Sequence, residues 1–408
     1  MKTVKLEEVT LSITDGKHGD CEAEDGSGYY FISCKDVHDG IIDYSNARQI
    51  TADSFSEAHK RTRLAPNDIL LTNSGTIGRM ALVQDTPETQ RTTFQKSVAI
   101  IKPDTKTVIP SYLYYKLQNC VLDFINQSNG SAQKNLLLGT MRNFKLDIPE
   151  DLSEQEYIAS LLSAYDELIE NNQKQIKLLE EAAQRLYKEW FIDLRFPGHE
   201  NTPNVDGVPE GWKKASLGQA LDKITTGLNP RKNFVLGHGS NYYVTIKNMG
   251  DNTFYLDDRC DKVDDEAIEK INKRSDLQIG DLLFSGIGTM GRVALVSIPT
   301  TNWNVSESVF TMRANGLISK EYLYLLLLSD DMQSYCDSHS HGVAQKGIRM
   351  ADLKAFPIIL PTKKVMDVFT NLVYPIIRRV QLLRQETTRI TEARDRLLPK
   401  LMSGDIEV

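Results

Sequence analysis

The most constraining feature of this sequence is an internal repeat. The run Asp68–Val83 (DILLTNSGTIGRMALV) matches Asp281–Val296 (DLLFSGIGTMGRVALV), an offset of 213 residues from 68 to 281. Gly130–Lys134 (GSAQK) matches Gly342–Lys346 (GVAQK) at nearly the same offset. Because this period is far longer than the roughly 20–50 residues of solenoid repeats, the sequence predicts one domain duplicated within a single chain.

The two copies share the same order of predicted elements. Short β-type runs separated by turn residues come first, a small helical piece follows, and a long helical segment closes each copy. The predicted fold class is therefore α+β, with two duplicated β-rich α/β domains over 1–150 and 212–361 and a long helix after each, over 151–194 and 362–408. The stretch 195–211 is rich in Pro, Gly and Asn and is predicted to be a linker.

The two long helices carry apolar residues at steps that alternate between four and three, which is typical of a coiled coil. The same positions recur 211 residues later, so the seam is duplicated in register: Ile158, Leu162, Tyr165, Ile169, Ile176, Leu179 and Leu186, then Phe369, Val373, Ile376, Val380, Leu383, Ile390 and Leu397. Polar Asn172, Thr387 and Arg394 interrupt it, as residues that fix pairing often do. Pro375 is expected to start or kink the second helix. The alternative is that each helix packs only on its own domain.

One motif resembles a cofactor site but has the wrong context. Gly286–Gly291 fits GxGxxG, yet a strand-like run follows where a dinucleotide-binding helix is required. We therefore predict a strand–turn–strand, with Gly78 and Gly291 at positive φ. The chain also has no GxxxxGK[ST] motif, no Asn-Pro-Pro-aromatic motif and no HExxH spacing. The sequence predicts no catalytic residues and no metal ligands.

Composition indicates where the protein is found and which classes of partner its charge favours. No apolar run approaches the roughly 20 residues of a membrane span, and the first residues lack the apolar core of a signal peptide. Five scattered cysteines without a CxxC pair indicate a reducing cytoplasm. A net charge of −7 weighs mildly against a nucleic-acid partner, unless the acidic residues lie on helices that bind protein.

Glycine-bearing loops that recur in both copies offer donors suited to nucleic acid. Lys and Arg can hold phosphate, and Gln, Asn and Arg can read base edges. Residues shared by both copies are expected to be scaffold or phosphate contacts, and residues that differ are expected to set sequence choice. The alternative for any one basic residue is an ordinary solvated charge. The candidates are Lys17, His18, Lys35, Arg79, Lys96, Gln133, Lys134, Asn229, Arg231, Lys232, Lys247, Asn248, Arg292, Ser306, Gln345 and Lys346.

Four stretches together resemble the specificity subunits of type I restriction–modification systems, and the resemblance extends over essentially the whole chain. They are the end of the first long helix at Glu189–Pro197, the domain start at Val208–Lys213, the Gly-rich turn within Gly280–Gly291, and the closing run Arg396–Ile406. Each alone would be weak evidence, but the combination is specific. In this reading the chain begins directly in the first recognition domain.

The resemblance implies two target-recognition domains, each reading one half of a bipartite asymmetric DNA site. It implies that the two long helices pair antiparallel and set the spacer between half-sites. Two methyltransferase subunits carrying S-adenosylmethionine would dock on the helices, and two restriction subunits using ATP and magnesium could join them. The chain would itself perform no chemistry. The competing readings are an enzyme, such as a nuclease or fused methyltransferase, and a protein-binding scaffold built on the coiled coil.

Overall fold

The structure is a computed structural model, and it describes residues 1–38, 40–130, 134–250, 252–342 and 346–406. The chain divides into two compact units. The first unit comprises Met1–Asn171 with Glu386–Val408, and the second comprises Asn172–Gln385. Because the long helices are Leu152–Tyr187 and Lys363–Ser403, each of them contributes one segment to each unit.

The first unit is built on a four-stranded antiparallel sheet in the order Thr10–Asp15, Val98–Pro103, Ile69–Thr72, Met80–Leu82. Its second sheet joins Arg48–Gln49, Tyr30–Ile32 and Thr92–Phe94, the last two in parallel. Lys2–Lys5 pairs with Lys145–Ile148, and Val37–His38 pairs with Ile41–Ile42. The α-helices besides the long ones are Ala52–Thr62, Pro110–Asn119, Val121–Asn126 and Leu138–Arg142.

The second unit repeats this plan. Its four-stranded sheet has the order Leu221–Thr226, Val309–Ala314, Leu282–Ser285, Val293–Leu295, and its mixed sheet has the order Asp261–Val263, Asn241–Val244, Trp303–Val305. The paired strands are Lys213–Ser216 with Pro357–Leu360, Met249–Gly250 with Thr253–Phe254, and Asn204–Val205 with Val208–Pro209. The helices are Asp265–Ser275, Lys320–Leu328, Asp330–Ser338 and Met350–Ala355, with a π-helix at Lys188–Ile192. The duplication predicted from the sequence is therefore a duplication of sheet order.

The two central strands of each four-stranded sheet are covered on both faces, which explains why they read as largely continuous apolar runs. In Ile69–Thr72 every residue is buried, and alternate side chains enter different cores. Ile69 and Leu71 face the core that contains the helices, whereas Leu70 faces the core beside the mixed sheet. Leu282 and Leu283 divide in the same way in the second unit.

The Gly-rich turn joins two antiparallel strands in both units, as the sequence predicts. Ile69–Thr72 pairs with Met80–Leu82, and Leu282–Ser285 pairs with Val293–Leu295. Gly78 has φ of 94° and Gly291 has φ of 85°, a region that disfavours side chains with a Cβ. A strand follows the GxGxxG run, so the geometry is not that of a dinucleotide-binding turn.

The long helices pack with their seam residues inward. Every predicted seam residue is buried or partly buried. In the first unit, Ile158 and Leu162 share a core with Leu401. In the second, Phe369 and Val373 belong to the core of the β-rich domain together with helix residues of the first long helix. The helix segments thus pack both on each other and on the domains.

The helix segments run antiparallel within each unit. In the first unit, Asp166 accepts a hydrogen bond from Arg394 at 2.6 Å. In the second unit, Glu180 accepts from Arg384 at 2.6 Å, while Phe191, further along the chain, packs edge to face on Phe369. The second helix begins at Lys363 and continues through position 375, so the expectation that a proline starts it is wrong.

The stretch 195–211, which the sequence predicts to be a linker, packs within the second unit. It contains the short hairpin of Asn204–Val205 and Val208–Pro209. Phe196 is buried and its ring lies 4.7 Å from that of Trp212. These contacts fix the chain path into the first strand of the second domain.

Candidate nucleic-acid interface

Loops at one edge of the sheets in the first unit are tied together by backbone hydrogen bonds. Lys17 N donates to Phe94 O at 2.8 Å, and Lys96 N donates to Lys17 O at 3.1 Å. The Gly-rich turn joins the same group, because Asn73 N donates to Ser97 O at 3.0 Å and Leu136 N donates to Asn73 O at 2.8 Å. We call residues 15–18, 33–36, 73–79, 95–97 and 134–136 the first loop cluster.

The second unit forms the equivalent arrangement. Gly227 N donates to Ser306 O at 3.2 Å, and Gly286 N donates to Ser308 O at 2.9 Å. Gly288 N donates to Lys346 O at 2.8 Å, which brings in the loop before Met350–Ala355. We call residues 226–232, 245–249, 285–292, 305–308 and 346–348 the second loop cluster. Loops far apart in sequence therefore meet in the same way in both domains.

A glycine is required where the first loop of each cluster crosses a strand end. A Cβ at Gly16 would lie 2.0 Å from Phe94 O, and a Cβ at Gly227 would lie 1.6 Å from Val305 O. Both obstacles are backbone atoms that cannot rotate away. The recurrence of glycine at these two positions is thus explained by close approach of backbone to backbone.

The paired arginines of the Gly-rich turns hold neighbouring loops. Arg79 donates to Cys34 O at 3.3 Å, and Arg292 donates to Ile246 O at 3.2 Å and also to Met249 O. Each guanidinium therefore fixes the loop that carries Lys35 or Lys247. Both arginines therefore stabilise their loop cluster by binding the backbone of a neighbouring loop.

The remaining basic candidates lie at the surface of the clusters. The side chains of Lys35, Lys96, Lys134, Arg231, Lys232, Lys247 and Lys346 are exposed. His18 is also exposed and lies 3.0 Å from a carboxylate oxygen of Asp15. Lys17 is less accessible and pairs with Glu57 at 3.1 Å. The clusters thus present cations even though the chain as a whole is acidic.

Two candidates point into the protein instead. Asn248 is buried, and its side chain caps the turn at Thr245 while donating to Arg259 O at 3.2 Å. Ser306 is also buried, with its hydroxyl 2.7 Å from that of Ser308. Since these polar groups are already hydrogen-bonded inside the unit, we assign them to the scaffold. Gln133 and Gln345 lie outside the described residues.

The second cluster contains a polar network around Glu307, at a position where the two copies of the repeat differ. Glu307 accepts a hydrogen bond from the Asn229 side chain at 2.8 Å and lies 3.1 Å from the Tyr243 hydroxyl. Burial, reinforced by the neighbouring carboxylate of Glu307, raises the pKa of Tyr243, so the hydroxyl stays protonated. The sequence signal for this network is the difference between Lys96 and Glu307, which stand at equivalent positions of the repeat.

The aspartates that precede the Gly-rich turns serve structure. Asp68 accepts from Ala65 N and Asp281 accepts from Gln278 N, each at 2.8 Å, so both close a turn. Arg313 holds Asp281 in addition, at 2.7 Å. Among the residues that the structure describes, no group of three or more His, Cys, Asp or Glu side chains could hold a metal ion.

Comparison with known proteins identifies the family. The model of the type I restriction modification DNA specificity domain matches twice, over residues 1–181 and 209–390. A type I restriction enzyme MjaIX specificity subunit of Methanocaldococcus jannaschii is 26% identical over 397 residues, which cover 94% of this chain and 88% of that protein. The HindI specificity subunit of Haemophilus influenzae is 24% identical, covering 75% of this chain and 80% of the relative.

The fold agrees with these matches. The type I restriction-modification S subunit from M. genitalium superimposes with a TM-score of 0.62 at 15% identity, covering 98% of this chain and 95% of that one. Within the described ranges, none of the helices combines the length and apolar character needed to cross a membrane. With its two matched domains and this fold, the chain belongs to the family of type I restriction–modification specificity subunits, as the resemblance of its motifs predicted.

Proposed function

We propose that this chain reads a bipartite, asymmetric DNA site, with each loop cluster recognising one half-site. The observation that carries the proposal is the recurrence of one loop cluster in both units, with exposed cations at equivalent places. Lys35 matches Lys247, and Lys134 matches Lys346. Lysines in such loops can bind phosphates and so set the register of the domain on DNA, while the positions that differ can select bases.

The acidic net charge is compatible with this proposal because phosphate contacts depend on local charge. Each lysine that neutralises a phosphate releases counterions, so its loss should weaken binding and lower the slope of log affinity against log salt by roughly one unit. Lys247→Ala and Lys346→Ala are expected to behave in this way for all DNA sequences. Lys364, an exposed lysine at the start of the C-terminal helix, is the control position.

The chemistry would belong to partner subunits. Two methyltransferase subunits carrying S-adenosylmethionine would dock on the helical part, and two restriction subunits using ATP and magnesium could join to cut unmodified DNA. The chain itself would supply recognition and carry no catalytic residues. The paired helices would set the number of base pairs between half-sites. Support comes from the family match and from the antiparallel helix segments within each unit.

An exchange of one domain tests the proposal. Residues 1–150 would be replaced by the equivalent domain of another specificity subunit, and the methylated motif would be read by methylome sequencing in a host that also makes the methyltransferase subunits. We expect one half-site to change and the other to stay intact. A change in both half-sites, or in neither, would contradict independent reading by the two domains.

A second variant tests the role of the helices. Deleting four residues, about one helical turn, from the central helix should change the spacer or abolish assembly. An unchanged spacer in an assembled, active complex would remove the helices as the determinant of spacing. Methylation at sites unrelated to any bipartite motif would favour a different function altogether.

A further inference from the structure

The geometry points to Glu307 as a residue that determines sequence in the second half-site, by accepting a hydrogen bond from the exocyclic amino group of a cytosine or an adenine. This inference rests on the proposed function of the second loop cluster. It concerns a single side chain and a single base pair. Nothing in the family match itself assigns this role.

The carboxylate of Glu307 is held in a defined orientation. Asn229 donates to Oε1 at 2.8 Å, and the amide oxygen of Asn229 accepts from Arg231 N at 2.9 Å, which prevents that amide from rotating freely. The Tyr243 hydroxyl lies 3.1 Å from Oε2. A side chain fixed in this way can discriminate between partners, because little rotamer freedom is lost on binding.

The carboxylate of Glu307 can accept further hydrogen bonds. An ionised carboxylate offers about four acceptor positions, and the two neighbours fill at most two. The Tyr243 hydroxyl has one proton and also lies 2.7 Å from Leu228 O, so that proton is shared between two acceptors. Among the described residues, Oε2 of Glu307 is therefore only partly satisfied, and the side chain is partly exposed.

The chemistry of DNA restricts what can satisfy this carboxylate. Phosphates repel it, and the N7 and O6 atoms of guanine are acceptors like itself. In the major groove the donors are the amino groups of cytosine N4 and adenine N6. In a cluster that otherwise presents Arg231, Lys232 and Lys247, an acidic group lowers affinity for DNA unless it receives such a donor.

The first domain has the opposite chemistry at the equivalent place. Lys96 occupies the position of Glu307, and Phe31 occupies the position of Tyr243 in the parallel strand pair. The amide donor Asn229 is replaced by His18. A lysine donates to guanine or phosphate oxygens. At this point the first domain therefore requires an acceptor on the DNA, whereas the second requires a donor.

The test compares Glu307→Gln with Glu269→Gln in the full complex with methyltransferase subunits. Glutamine keeps the oxygen that accepts from Asn229, so the loop stays anchored while the charge and one acceptor are lost. Glu269 is an exposed residue of the helix Asp265–Ser275, and its substitution makes the same change of charge away from the cluster. The methylated motif of each variant is read by methylome sequencing.

We expect Glu307→Gln to relax one cytosine or adenine position of the second half-site, with discrimination there reduced about ten- to a hundredfold. The first half-site and the Glu269→Gln motif should equal those of the unchanged protein. An identical motif in Glu307→Gln, or relaxation in the first half-site instead of the second, overturns the inference. Absence of any bipartite motif in the unchanged protein overturns the proposed function, and the inference with it.

Binding by the unchanged complex provides a measurement that does not depend on folding of the variant. Duplexes of the second half-site would carry 2-pyrimidinone for one cytosine, or purine for one adenine, each of which lacks only the amino group. A loss of about tenfold or more in affinity at one position supports the inference and identifies the base. Unchanged affinity at every such position contradicts it.

Discussion

Gly227 offers a sharp test of how the second loop cluster is built. In Gly227→Ala the new Cβ would lie 1.6 Å from Val305 O, whereas an ordinary contact begins near 3.4 Å. Loop and strand must therefore separate by about 1.8 Å. The strain that this movement causes in the packing costs about 1–3 kcal/mol of stability. The movement also breaks the hydrogen bond from Gly227 N to Ser306 O, which costs about 0.5–1.5 kcal/mol more.

The expected loss is therefore roughly 2–4 kcal/mol of unfolding free energy, measured by urea denaturation. Gly139→Ala is the matched control. No described atom lies within 4 Å of a Cβ at Gly139, and alanine in the helix Leu138–Arg142 is favoured by about 0.5–1 kcal/mol. The methylated motif should lose the second half-site in Gly227→Ala only. Stability and motif equal to those of the unchanged protein would refute the close-approach argument.

Three further predictions concern charged groups. In a double-mutant cycle, Asp166→Ala and Arg394→Ala should show a coupling of about 1 kcal/mol in urea unfolding, and independent effects would contradict the pair. Lys116→Met removes a buried ammonium that donates to the last turn of the C-terminal helix and should cost about 1.5–3 kcal/mol; an unchanged melting temperature would argue against that contact. Hydrogen bonds, the largest from Gln278, lower the pKa of Asp276 to about 2. Its stabilising effect is thus present above about pH 4 and lost as pH falls towards 2, and Gln278→Ala should raise this pKa in an NMR titration.

Features that depend on local pattern were predictable from the sequence. The glycine-bearing turns have matching sequences in the two copies of the repeat. Both form the predicted strand–turn–strand, with Gly78 and Gly291 at positive φ. The seam was also predictable, because the spacing of apolar residues decides which side of a helix is buried. Pro375 does not start the second helix, because a long helix packed along its length can accommodate one lost backbone hydrogen bond.

Features that depend on tertiary neighbours were not predictable. Asn248 and Ser306 look like exposed polar loop residues in the sequence, yet both are buried and hydrogen-bonded within the second unit. The difference between Lys96 and Glu307 marks this position in the sequence. It does not reveal the hydrogen-bond partners of Glu307, which are Asn229 and Tyr243, 78 and 64 residues away in the chain. Neither the burial of a polar loop residue nor a partner so distant in the chain leaves a periodic signal in the sequence.

The division of the long helices between units has a consequence for synthesis on the ribosome. The core of the first unit includes Leu401 and Met402, which are almost fully buried. They follow the whole second unit in the chain and are therefore made after it. Until Leu401 and Met402 have been synthesised, the first domain exposes the apolar surface that they cover, including Ile158 and Leu162 of the shared core. Termination before Leu401 would therefore leave the core of the first unit incomplete, although most of that unit is made before the second one.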